Sequence, residues 1–258
     1  MFVDSHCHLD LQEFDTNIDL IMTQMYNARV NYALIAGIDK KNFNNILKLI
    51  SKYNNLYASV GIHPECSDNE EFSIEELCLL AKENKKIVAI GETGLDYHRH
   101  DYQDLDWQRN RFRQHIRAAK ISKIPLIIHT RSSIIDVLNI LKEEGASDVG
   151  GVMHCFTENW DAAKLAMDLN FYISISGIVT FKNAKIVHEV AEKVPLDRIL
   201  IETDSPYLSP EPYRGKINNP ANVIYIAKKI AELRKITVEE VANASRKNFF
   251  SLFTKINL

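Results

Sequence analysis

The chain has 258 residues, 46% of them hydrophobic and 25% charged, with a formal net charge of −3. That is ordinary globular composition, and it gives no support to a protein coated in positive charge for nucleic acid, though a local basic groove remains compatible with it. None of the four cysteines forms a Cys-x-x-Cys pair, and no basic region followed by a long apolar run opens the chain. The expectation is reduced cysteines, no signal peptide, no membrane span and a cytoplasmic location.

The first segment, residues 3–9, reads as a strand carrying His6 and His8, whose side chains would share one face. Two imidazoles at that spacing suit a divalent metal, or are simply two partly buried histidines. Ile18, Ile21, Met22 and Met25 follow with helical spacing, and residues 32–37 form a short apolar strand ending in glycine. Asp39 is placed to cap a helix whose apolar face is Phe43, Ile46, Leu47 and Ile50. Residues 56–62 read as a third strand, running into His63-Pro64. Ser73 with Glu76 forms a capping box for a helix bearing Ile74, Leu77, Cys78 and Ala81.

Residues 87–91 form the fourth strand, running into Glu92, and a polar loop over 96–101 precedes a helix from about residue 104 to 122. The fifth strand, 125–128, ends at His129; its helix carries Ile134, Leu138 and Leu141 and stops near Gly145. Residues 150–153 lead to His154, followed by a helix with Ala162, Leu165, Ala166 and Leu169. Residues 171–177 form the seventh strand, with Val187, Val190 and Val194 on the next helix. Residues 199–204 form the eighth, ending at Asp204; a helix with Val223, Ile226, Ala227 and Ile230 and one further short helix close the chain. Eight strand–helix units without a linker predict a single-domain α/β protein, a (β/α)8 TIM barrel over residues 1–258. No Gly-x-Gly-x-x-Gly follows the first strand, which disfavours an open dinucleotide-binding sheet.

Glu92, His129, His154 and Asp204 each follow an apolar run at a strand's C-terminal side, while His6 and His8 sit mid-segment. In a barrel those ends converge on one mouth. Each residue alone has a plain alternative, such as a half-buried hydrogen-bonded histidine or a capping carboxylate. Four histidines and two carboxylates together predict a metal site, with two divalent ions bridged by a carboxylate. Histidine ligation favours zinc or manganese, and phosphoryl transfer often uses magnesium. His63 reads as a contact to substrate phosphate or as a loop histidine. Arg131 and Arg214 read as phosphate forks or as surface ion pairs. Glu202 is placed to orient a ligand histidine or reads as a solvated charge at a strand end, and Asp96 is placed to hold His98 or a backbone turn. The run His98-Arg99-His100-Asp101 reads as a polar loop over the mouth, Phe14 and Tyr97 as base-stacking or packing aromatics, and Cys7 as packing on the far side of its strand. No Gly-x-Ser-x-Gly or P-loop motif occurs.

The residues now carry a resemblance. The chain is similar to the TatD family of metal-dependent hydrolases, within the amidohydrolase-like barrels. The matching stretches are Asp4-Ser5-His6-Cys7-His8-Leu9, Gly61-Ile62-His63-Pro64, Gly91-Glu92-Thr93-Gly94-Leu95-Asp96-Tyr97, Ile128-His129-Thr130-Arg131, His154-Cys155-Phe156, Ser176-Gly177 and Glu202-Thr203-Asp204-Ser205-Pro206-Tyr207-Leu208, with Arg214-Gly215-Lys216 and Asn218-Asn219-Pro220 beyond them. The resemblance implies that His6 and His8 bind one metal, Glu92 bridges two, and His129 and His154 bind the second. Asp204 would bind metal and help orient or deprotonate the attacking water. It further implies a deoxyribonuclease, a 3′→5′ exonuclease on single-stranded DNA using metal-activated water and needing no obligate protein partner. The alternatives are a D-aminoacyl-tRNA deacylase at the same metals, or a non-catalytic binding barrel. The family often has Asn-Glu-Pro where this chain has Asn218-Asn219-Pro220, and Ile217 departs as well, which bears on substrate contacts and on no metal ligand.

Overall fold

The computed structural model describes residues 1–66, 71–98 and 105–256. Its eight strands are β1 (Phe2–Cys7), β2 (Val30–Ile35), β3 (Leu56–Val60), β4 (Ile87–Asp96), β5 (Leu126–Arg131), β6 (Gly151–Met153), β7 (Phe171–Ile175) and β8 (Ile199–Ile201). All pair in parallel and in chain order. The seam between β8 and β1 is stitched past the end of β8, by Asp204 N–H to His6 O at 3.0 Å and His8 N–H to Ser205 O at 2.8 Å. Below it the buried Asp4 carboxylate accepts from Thr203 N–H at 2.8 Å, and Ser5 Oγ donates to Ile201 O at 3.0 Å. This is a nearly closed (β/α)8 barrel.

The helices between strands are α1 (Ile18–Asn27), α2 (Phe43–Lys52), α3 (Ile74–Glu83), α4 (Asp106–Ser122), α5 (Ile134–Glu143), α6 (Trp160–Asp168) and α7 (Lys185–Lys193), followed by α8 (Val223–Arg234) and α9 (Val238–Leu252). The apolar runs of the strands are buried on both faces because helices cover the outside and side chains fill the inside. The capping box of Ser73 and Glu76 forms as expected. Asp39 instead accepts from Asn42 N–H in the turn just before α2. Leu165 is turned to solvent, 55% exposed, while Ala162, Ala163 and Ala166 carry the buried face of α6. The start expected near residue 104 for α4 lies outside the described residues, as do Arg99, His100 and Asp101.

The last helix is not short. α9 runs 15 residues behind its own capping box, Thr237 with Glu240. Its Phe249 and Leu252, with Phe253 and Ile256 beyond, pack on Val3, Leu34, Val88, Ile127, Val152 and Leu200, and Tyr32, Tyr57 and Tyr172 near strand starts pack against the same group. The N-terminal end of the barrel is thus covered, and the polar strand ends face the opposite mouth. Among the described residues no helix is long and apolar enough to cross a membrane.

Candidate metal centre

Two β-bulges aim the polar side chains. Between Asp4 and Cys7, β1 advances three residues while β2 advances two, and between Ile90 and Thr93, β4 does the same against β5. An extra residue in one strand kinks it and redirects its side chains. β4 therefore does not stop at Gly91 as its apolar run suggests; it continues to Asp96, with Glu92 inside the bulge. Gly94, at φ +140°, is required here, because a Cβ would lie 2.0 Å from His129 O. β1 ends at Cys7, so His6 and His8 lie at a strand's C-terminal end like the other four, not mid-segment. His129 lies within β5, His154 one residue past β6 and Asp204 three past β8, at φ +54°.

The six side chains meet around the buried Glu92 carboxylate, which has two distinct sides. Oε2 is 3.2 Å from His6 Nε2 and 3.7 Å from His8 Nε2. Oε1 is 2.9 Å from His154 Nε2 and 3.0 Å from His129 Nδ1. Asp204 Oδ1 joins the first side, 3.3 Å from His8 Nε2 and 3.7 Å from His6 Nε2. His6 and His154 stack with ring centroids 3.9 Å apart, which brings the two sides together.

The outward nitrogens decide what the inward ones offer. His154 Nδ1–H donates to Glu202 Oε1 at 3.0 Å, His129 Nε2–H to Asp96 Oδ2 at 3.0 Å, and His8 Nδ1–H to Ala36 O at 3.3 Å. With those protons placed outside, the neutral rings turn lone pairs toward Glu92, itself only an acceptor. Acceptors facing acceptors at such distances need protons or a metal cation between them. Glu92 Oε2 and His6 Nδ1 have no hydrogen-bond partner, although both are buried. Three groups of side chains bring ligand atoms within 4.8 Å of one another, His6 with His8 and Glu92, His63 with Glu92 and His129, and His6 with His154 and Glu202, and imidazole nitrogens with carboxylate oxygens are a donor set that suits a divalent ion.

The electrostatics agree. Burial alone would raise the Glu92 pKa, but His154, His63 and His6 around it outweigh that and hold it well below the usual range. Burial works against protonation of His154, yet Glu92 and Glu202 push its pKa well up. His6, buried beside His154, is lowered. Burial opposes ionisation of Asp204, and the bond to His8 reverses it.

His63 sits beside the second side, its Nε2 3.4 Å from Glu92 Oε1 and 3.3 Å from His129 Nδ1. Its Nδ1 accepts from Glu65 N–H at 3.1 Å, so the neutral ring carries its proton on Nε2 and acts there as a donor. Arg111 of α4 holds this corner from behind, donating to His63 O at 2.9 Å, and His115 accepts from Ile62 N–H at 3.1 Å. Neither α4 residue stands out in the sequence, since α4 reads there only through Phe112, Ile116 and Ala119. Asp96 accepts from His98 N–H at 2.9 Å in the turn after β4, and its other oxygen also holds His129, a contact that no local sequence pattern indicates.

A cavity of ≈620 Å³ opens over the cluster, lined by His8, His63, Glu92, His129, His154 and Asp204, with Arg131, Thr157, Tyr207 and Leu208 at its walls. Arg214 does not line it. Phe14 and Tyr97 are buried, and the Tyr97 hydroxyl donates to Asp136, so both are packing residues. Cys7 is buried on the far side of its strand, with Sγ directed to Leu34 O. Asn218 is buried and donates to Thr203 O and Tyr207 O. Asn219 caps the turn that follows, accepting from Ala221 N–H, and Ile217 is exposed.

The family model described as "TatD related DNase" matches residues 3–254. A Bacillus subtilis protein named "Uncharacterized metal-dependent hydrolase YabD" is 42% identical over 255 residues, 98% of this chain and 99% of its own length. The Escherichia coli K12 protein "Uncharacterized metal-dependent hydrolase YcfH" is 41% identical over 97% of this chain and 95% of its own. Among solved structures, the E. coli K12 TatD homolog YjjV superposes with a TM-score of 0.92 at 29% identity, covering 98% of each chain.

Proposed function

This chain belongs to the TatD-related DNase family of metal-dependent hydrolases, and from that premise we propose that it is a deoxyribonuclease, removing nucleotides from the 3′ end of single-stranded DNA. The observation that carries the reading is the two-sided Glu92 carboxylate, with His6 and His8 at one oxygen and His129 and His154 at the other. On this reading His6 and His8 would hold one divalent ion and His129 and His154 a second, with Glu92 shared between them and Asp204 on the first side. Bound there, divalent ions lower the pKa of water and polarise a phosphoryl oxygen.

The chain's own residues do the rest. Asp204, kept ionised by His8, accepts the proton of the attacking water at Oδ1. Glu202 and Asp96 fix the tautomers of His154 and His129, so that the nitrogens facing Glu92 stay unprotonated when metal is bound. His63 offers its Nε2–H, and Arg131 its guanidinium, to the phosphate oxygens in the same cavity. Glu92→Gln leaves the shape and removes the charge.

The test is a substrate panel on protein of defined metal content: a 3′-labelled single strand, a duplex and D-aminoacyl-tRNA. The reading expects release of mononucleotides from the single strand, abolished in Glu92→Gln with the circular dichroism spectrum unchanged. Ester cleavage of the aminoacyl-tRNA without nuclease activity overturns it in favour of a deacylase.

A further inference from the structure

Tyr207 and Leu208 separate the cavity over the donor cluster from a second one of ≈490 Å³. The second contains none of the metal-competent side chains; Phe181, Arg214, Lys216 and Ile217 line it, with Glu13 at its edge. A third hollow shares Phe181 and Arg214 and adds Lys182 and Glu211. The pair common to both hollows is Phe181 with Arg214, and the Arg214 guanidinium carbon lies 3.8 Å from the ring centroid. So close an approach is that of stacked groups. Stacking uses the flat face of a guanidinium and leaves its N–H edge for a ligand.

Two features make this edge available and ordered. On α4, Arg109, Arg111, Arg113 and Arg117 are each tied to a carboxylate. Arg214 is exposed, and among the described residues no carboxylate pairs with it. The turn that carries it is pinned at both ends: Tyr213 N–H bonds Pro210 O at 2.7 Å, Lys216 N–H bonds Tyr213 O at 3.1 Å, and the Tyr213 and Tyr225 hydroxyls meet at 3.1 Å. Lys216 and Lys182 add positive charge along the strip, against Glu13 and Glu211. The exposed Tyr207 lines both the strip's hollow and the cluster's cavity, and its ring meets that of His8 at a steep angle with centroids 6.2 Å apart.

We propose, resting on the phosphodiesterase reading above, that Arg214 stacked on Phe181 binds the phosphate next to the one being cleaved. The enzyme then takes a nucleic-acid strand of at least two phosphates in preference to an isolated diester. Arg214 acts here at a distance from the reacting atoms, which is why it lies outside the cluster's cavity. Tyr207 offers its ring to the base between the two phosphates.

The test compares kcat/KM on bis(4-nitrophenyl) phosphate with that on deoxythymidine oligomers of two, three and five nucleotides, in one divalent metal. Binding of a labelled five-nucleotide strand in EDTA, followed by fluorescence anisotropy against salt, supplies a readout free of catalysis. The wild type is expected to gain about tenfold or more once a second phosphate is present, chiefly in KM. Arg214→Gln is expected to erase most of that gain and to lower the slope of log K on log salt by about 0.7, the value for one phosphate contact on a single strand; Phe181→Leu, which frees the guanidinium from its stack, shows a smaller loss of the same kind. An Arg214→Gln protein that keeps both the oligonucleotide advantage and the salt slope overturns the second-phosphate site and leaves the phosphodiesterase reading standing. A wild type that cleaves none of these diesters with any metal overturns that reading, and this site with it.

Discussion

His115 offers a prediction that needs no metal. It is buried in α4, its Nε2 accepting from Ile62 N–H at 3.1 Å and its Nδ1–H donating to Arg111 O at 2.9 Å. Protonation would break the first bond and bury a charge. Burial, opposed by the bond to Arg111 O and by Glu71 and helped by the Arg111 charge, pulls its pKa from 6.5 to about 4. The unfolded chain therefore takes up a proton between pH 6.5 and 4 that the folded chain refuses. The stabilisation is complete above pH 6.5 and is lost as pH falls toward 4, by roughly 3 kcal/mol at about 1.4 kcal/mol per pH unit. Urea unfolding in EDTA, at pH steps from 7.5 to 4, would be run on the wild type and on His115→Gln. Other buried groups contribute to the acid loss of both proteins and cancel in the difference. His115→Gln is expected to be the less stable protein at pH 7.5 and to close the gap by roughly 3 kcal/mol by pH 4. A gap that stays constant across the range would refute the neutral, doubly bonded His115.

Asp96→Asn removes the charge that holds His129 Nε2–H and is expected to weaken divalent-metal affinity about 10- to 100-fold, measured by competition with a chelating dye. Unchanged affinity would show that Asp96 serves only its turn. At the other end of the barrel, Lys255 Nζ donates to Ala81 O and Ile87 O at 2.6 Å each and to Asn84 O at 3.3 Å, around the turn from the end of α3 into β4. Lys255→Met, keeping the apolar stem, is expected to cost about 1–2 kcal/mol in urea unfolding with no change in metal affinity.

The barrel was legible because each strand is an apolar run punctuated by a polar residue, and each helix shows its face by spacing. The donor cluster was legible for the same reason: His129, His154 and Asp204 stand where such runs stop. What escaped was set by partners distant in sequence. The extension of β4 to Asp96 depends on a bulge against β5, which no local pattern of residues 87–96 announces. The tautomers of His129, His154 and His63 depend on Asp96, Glu202 and Glu65 N–H, which hold the other ring nitrogen. Phe14 reads from sequence as well for stacking as for packing, and only its burial decides. Leu165 belongs to a helix whose alanines suffice for its buried face, leaving the larger residue outside. Arg214 suggests a phosphate contact by residue type alone, and only the folded loop after β8 shows that it lines the neighbouring hollow and not the cluster's cavity.

The central claim is hydrolysis of DNA phosphodiesters by divalent metal held around Glu92. The most direct measurement is cleavage of a labelled single strand by chelator-stripped protein titrated with magnesium, manganese or zinc, with bound metal counted in parallel. The account predicts no cleavage by the stripped protein, recovery that rises with metal occupancy, and neither binding at wild-type stoichiometry nor recovery in Glu92→Gln. Full cleavage by metal-free protein, or full metal occupancy with no cleavage under any of the three ions, would contradict it.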